Sequence, residues 1–141
     1  MLNPGHDPAQ NMIVASAVFL TFSGNCKKAL TFYQGCIGGN LQFELFRQKL
    51  PGFSELPVVS GSLLADRIII YGSDLVHDEG RRTGNCMAIY IRCDSVQERK
   101  ALVEKLRSAE GKSTVTEVDD QRLIEVTDAF GVRWVLGTDD L

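Results

Sequence analysis

The apolar positions of this chain change period several times, and each change marks an element. Residues 15–22 (ASAVFLTF) are apolar and rich in β-forming types, which predicts a strand. Ser23, Gly24 and Asn25 follow as a turn that can cap a helix. From Asn25 to Ile37 the residues Cys26, Ala29, Tyr33 and Ile37 recur at helical spacing, with Leu30 and Phe32 widening the stripe. Gly38-Gly39 stops that helix. Residues 40–48 set Leu41, Phe43 and Leu45 against Gln42 and Glu44, the alternation of a half-buried strand. A proline-bearing loop over 49–57 leads to a hairpin of two strands, 58–65 and 67–73. After a polar loop over 74–84 the pattern starts again. It predicts a strand over 86–92, a cap at Asp94-Ser95 and a helix over 96–109. That helix buries Val96, Leu102, Val103, Leu106 and Ala109, and Gly111 ends it. Three more strands follow, 113–118, 121–127 and 133–137, turning at Asp119-Asp120 and at Asp128–Gly131.

The order strand, helix, three strands therefore occurs twice. Laying Val18 on Met87 and Asn25 on Asp94 superimposes the two runs, although the residues themselves do not repeat. Each unit would leave one sheet face bare, and burying the two together is the economical solution. The expected fold is α+β: two paired βαβββ modules, about 15–74 and 85–138, forming a curved mixed sheet with helices outside and a cleft inside. Residues 1–14, polar and rich in turn formers, are expected as a flexible tail before a single domain over 15–141.

Composition narrows the partners. The chain has 141 residues, 44% hydrophobic and 23% charged, enough for one core without metals or disulfides. A net charge of -3 argues against a nucleic-acid partner, which would ask for a basic face. Four cysteines, Cys26, Cys36, Cys86 and Cys93, show no CxxC spacing and read as free buried thiols. No segment approaches the roughly 20 apolar residues of a membrane span, so no membrane partner is expected and the cytoplasm is the expected location.

The run Val18-Phe-Leu-Thr-Phe-Ser-Gly-Asn-Cys-Lys-Lys-Ala-Leu-Thr-Phe-Tyr33 with Gly38-Gly39 resembles the opening of PhnB-like proteins of the vicinal-oxygen-chelate superfamily. That superfamily also holds glyoxalases, extradiol dioxygenases and bleomycin- or fosfomycin-resistance proteins. Thr127-Asp-Ala-Phe-Gly-Val-Arg-Trp-Val135 is similar to its closing motif, and Tyr71-Gly-Ser-Asp74 to its mid-chain hairpin end. The resemblance covers about residues 15–138 and implies the paired βαβββ fold. Metal-dependent members place a histidine on the first strand of each module and a glutamate on the last strand. By counting from the motifs, these positions fall on Val18, Met87 and Val135, and a further family histidine falls on Ser60. None of these suits a divalent metal, so no metal and no cofactor is expected. The resemblance also implies a homodimer.

Other chemistry is sparse. His6 lies in the tail and His77 in the polar loop with Asp74, Asp78 and Glu79, which reads as solvated loop rather than a metal site. Arg81-Arg82 reads as a solvated basic pair or, alternatively, as a clamp for phosphate or carboxylate over the pocket mouth. Glu125 interrupts an apolar strand, and Arg133 lies on the next one. They form either an exposed cross-strand ion pair or a charged pair in the cleft, with Glu125 as general base and Arg133 orienting an anion. By parity, Tyr90 is expected under a helix and Trp134 in the core. No GxGxxG or GxxxxGK phosphate cradle occurs. The expected function is metal-free binding of a small apolar or aromatic molecule by Val18, Leu20, Ser60, Met87, Ile89, Arg133 and Val135. The alternative is a lyase, isomerase or dioxygenase-like enzyme using Glu125 or loop residues.

Overall fold

The computed structural model describes residues 16–75, 81–108 and 122–138. The first module runs β1 (Val18–Thr21), α1 (Cys26–Ile37), β2 (Asn40–Leu45), β3 (Val58–Leu64) and β4 (Ile69–Ser73). Its strands lie in the order β1-β4-β3-β2, with β1 parallel to β4 and the other pairs antiparallel. The second runs β5 (Ile89–Arg92), α2 (Val96–Arg107), β6 (Leu123–Thr127) and β7 (Arg133–Gly137), ordered β5-β7-β6. Again the first strand is parallel to the last. The architecture is α+β, and among the described residues the expected duplication shows as βαβββ followed by βαββ. The strand expected over 113–118, the Asp119-Asp120 turn, Ala109, His6 and His77 lie outside the described residues.

Both helices begin and end for local reasons, with one exception. Ser95 caps α2, its Oγ accepting the Glu98 N–H at 3.1 Å, while Glu98 reaches back to the N–H of Asp94 at 3.2 Å. Gly38 ends α1 at φ 77°, and Gly39 follows at 108°. At the start of α1, however, Asn25 makes no side-chain cap. Asp74, at the end of β4, does that work from the other side of the module: its Oδ1 accepts the N–H groups of Gly24 (2.7 Å) and Cys26 (3.1 Å). Its Oδ2 accepts Val58 N–H at 2.9 Å.

One core serves both modules. Cys26, Ala29, Leu30 and Tyr33 of α1 are fully buried together with Trp134 and Leu136 of β7 and Leu106 of α2. Tyr33 packs edge-on against Trp134, centroids 5.3 Å apart, and Phe32 lies 5.7 Å from Phe130. Trp134 is core, as its parity predicts. On α2 the buried side is Arg99, Val103 and Leu106, while Val96 is exposed. Arg99 takes that place because its apolar stem packs inward and its Nη1 donates to the Arg122 carbonyl at 3.3 Å. Three of the four free cysteines are buried, but Cys86 is exposed, since β5 starts three residues after it. No helix among the described residues is long and apolar enough to cross a membrane.

Candidate functional site

Strand register sorts the side chains into a helix-covered face and an open face. In the first sheet Leu20, Gly72, Gly61 and Phe43 stand in one row. A Cβ at Gly72 would lie 2.9 Å from Cys26 Sγ, and one at Gly61 2.9 Å from Leu30 Cδ1, so this row faces α1. The neighbouring row, Phe19, Tyr71, Ser62 and Gln42, faces away. In the second sheet Ile89, Trp134 and Val126 face the core, whereas Tyr90, Val135 and Glu125 share the open face.

These rows place the expected residues on different faces. Val18 and Leu20 pack against the core, and Ile89 is buried beside Trp134, rather than pointing across the open face. Tyr90, expected under a helix, stands instead on the open face in register with Val135. Val135 is half-buried there, and Ser60 is exposed on the same side of the first sheet, opposite Glu44. Met87 precedes β5 and is 81% exposed. The strands involved are short and apolar on both faces, so alternation alone does not reveal which face is covered.

The two sheets share no strand pairing among the described residues, and β1 and β5 are each an edge of their own sheet. A cavity of about 350 Å³ runs along these edges and brings Val18, Leu20, Met87, Ile89 and Arg133 together with Phe19, Thr21, Arg81 and Arg82. Ser60 and Val135 are not part of its wall. A second cavity of about 370 Å³ continues the seam past Ala17, Ile68, Ala88 and Tyr90.

Charge at the seam is organised by Arg133. Its Nε donates to Glu125 Oε2 at 2.5 Å, Nη2 pairs with the same carboxylate, and Nη1 donates to the carbonyls of Asn85 and Met87, the latter at 3.3 Å. All three guanidinium nitrogens are thus engaged, and they tie β6 and β7 to the segment entering β5. Glu125, with its side chain 46% exposed, is an ion-paired surface group. Arg81 is held by other means: its ring contact is with Phe22 (5.0 Å), and its Nη1 donates to the Phe130 carbonyl.

Two buried carboxylates escaped sequence reasoning, because an aspartate in a turn reads as surface. Asp74 is one. Asp128 is the other, accepting Tyr33 OH (2.7 Å), Trp134 Nε1–H (2.8 Å) and the N–H groups of Phe130 (2.8 Å) and Val132 (3.1 Å). The only signal was the Tyr71-Gly-Ser-Asp74 and Asp128-Ala-Phe-Gly motifs themselves. Burial, then the charge of Asp128, pushes the Tyr33 phenol far above its ordinary range. Burial, reinforced by Asp74, pushes the Cys26 thiol up to about 12, and burial raises Cys36 to about 11 against the opposing pull of Lys105. These groups stay protonated, so neither thiol is a ready nucleophile.

The site does not fit a divalent metal. Valine offers no donor at 18 or 135, Met87 offers only a thioether, and Glu125 is already paired with Arg133. The described residues contain no histidine and no cluster of three His, Cys, Asp or Glu side chains able to hold an ion.

This α+β fold, βαβββ followed by βαββ among the described residues, matches that of solved proteins with the vicinal-oxygen-chelate fold. The PhnB protein of Bacillus cereus, named for a 3-demethylubiquinone-9 3-methyltransferase, superposes with a TM-score of 0.68 at 20% identity over 88% of this chain and 98% of its own. The fosfomycin resistance protein FosX of Listeria monocytogenes, in its complex with Mn(II) and sulfate, gives 0.59 at 15% identity over 92% and 96%. In sequence, protein YjdN of Escherichia coli K12 is 25% identical over 134 residues, 84% of this chain and 90% of YjdN. No family model matches the chain.

Proposed function

We propose that this chain is a metal-free, small-molecule-binding protein of the glyoxalase/bleomycin resistance superfamily, PhnB-like in character, whose ligand is apolar or aromatic. The observation that carries the reading is the set of large apolar side chains left uncovered on the open faces: Phe19 and Tyr71 on the first sheet, Tyr90 and Leu123 on the second, with Met87 at the cavity between them. Such a wall rewards dispersion and area burial, and a sugar-like ligand would leave its hydroxyls unpaired against it. The enzymatic alternative is weaker. Glu125, its proposed base, is exposed and neutralised by Arg133, not desolvated in a cleft.

A thermal-shift and NMR screen of neutral aromatics, apolar acids and sugars tests this reading. Aromatic compounds should raise the melting temperature and shift resonances at the seam. Binding confined to sugars, or a stoichiometric metal found by elemental analysis and lost on substituting the seam residues, overturns it.

A further inference from the structure

Three arginines line the cavity between the modules, and among the described residues no acidic side chain does. They are not equivalent. Arg133 spends every guanidinium nitrogen on Glu125, Asn85 and Met87. Arg81 does not. Its backbone N–H is fixed to Ser23 Oγ at 3.1 Å, its guanidinium carbon lies 5.0 Å from the centre of the Phe22 ring, and among the described residues Nη1 alone donates, to Phe130. No carboxylate among the described residues pairs with it. The floor beneath is Gly131, where a Cβ would come within 3.7 Å of Arg81 Nη1. A guanidinium packed against an aromatic ring and tied at Nη1, with Nε and Nη2 left over along one edge, is pre-organised for a carboxylate or phosphate.

We propose that Arg81 is the anion-recognising residue of this cavity. It selects ligands whose apolar body carries an oxyacid group, carboxylate or phosphate, while Arg133 is a strut that shapes the wall. The proposal rests on the small-molecule reading above and adds the ligand's charge and the residue that reads it.

The test is calorimetric titration of the full chain with 2-naphthoate, 2-naphthyl phosphate and the neutral 2-naphthamide. Wild type should prefer the naphthoate over the amide by about 10-fold or more, the scale of one charge-assisted pair. The phosphate arm shows which oxyacid is preferred. Arg81→Gln should bring the preference close to one by lowering acid affinity far more than amide affinity, with a circular-dichroism melt matching wild type to report an intact fold. Arg81→Lys keeps the charge but loses the fork, and should cut the preference at least threefold. Arg133→Gln should weaken all probes alike and keep the preference. A preference that survives both Arg81 substitutions, or that disappears only with Arg133, overturns the proposal. Equal binding of acid and amide by wild type removes the role of Arg81 but leaves the pocket reading standing. Binding of neither removes both.

Discussion

Asp128 accepts four hydrogen bonds with two oxygens, and all four donors are buried or nearly so. Removing it orphans the Tyr33 hydroxyl, the Trp134 indole N–H and two backbone N–H groups together. Asp128→Ala should therefore cost about 3–5 kcal/mol, against about 1–2 kcal/mol for Tyr33→Phe, which removes one donor and leaves the carboxylate three others. Urea denaturation of the two variants checks this, and equal small losses would mean that the carboxylate does not hold the β6–β7 turn. The buried Cys26 thiol makes stability depend on pH. Cys26 titrates near 12 in the fold and near 9 when unfolded, so what it contributes is complete below pH 9 and declines as pH rises from there toward 12.

At the scale of elements, α1 sits close on its sheet because Gly61 and Gly72 face each other beneath it. Gly72→Ala puts a methyl 2.9 Å from Cys26 Sγ, an overpacking of about 1–3 kcal/mol. Adding Cys26→Ala makes room for it, so the double variant should recover much of that loss. Thermal melts in a double-mutant cycle read the coupling, and strict additivity would show that the two do not meet. The helices were legible in the sequence because the spacing of Cys26, Ala29, Tyr33 and Ile37 has a single solution. The duplicated order of elements was legible for the same reason. The orientation of β1 and β5 was not. Val18, Phe19 and Leu20 are all apolar, as are Ile89, Tyr90 and Ile91, so only counting from a motif decided the face; Val18, Leu20 and Ile89 pack toward the core yet still reach the cavity at the strand edges. Glu125 and Arg133 were found as a pair because they are charges inside apolar strands. Nothing local shows that Arg133 also grips Asn85 and Met87, since those contacts come from the packing of β7 beside the approach to β5.

Across the whole molecule, β2 is an outer strand of its sheet, and Leu45, Phe46 and Leu56 lie exposed at its end. An edge that pairs with no further strand among the described residues, with an apolar patch at its end, favours pairing with a second copy. We expect a homodimer, with light scattering at micromolar concentration giving twice the 15.6 kDa chain mass, and Phe46→Glu returning it to the single-chain value. A monomer at that concentration would show that the patch serves another purpose.

The hydrogen bond from Tyr33 to Asp128 spans 95 positions of sequence. It ties the helix of one half to the turn of the other, and each half holds only one end of it. Neither half can complete its own interior, so the duplicated order of elements does not make two autonomous units. Folding has to close a long loop before that bond contributes anything, which raises contact order and slows commitment to the native state toward milliseconds to about seconds. A chain cut between the halves would then regain its structure only when both pieces meet.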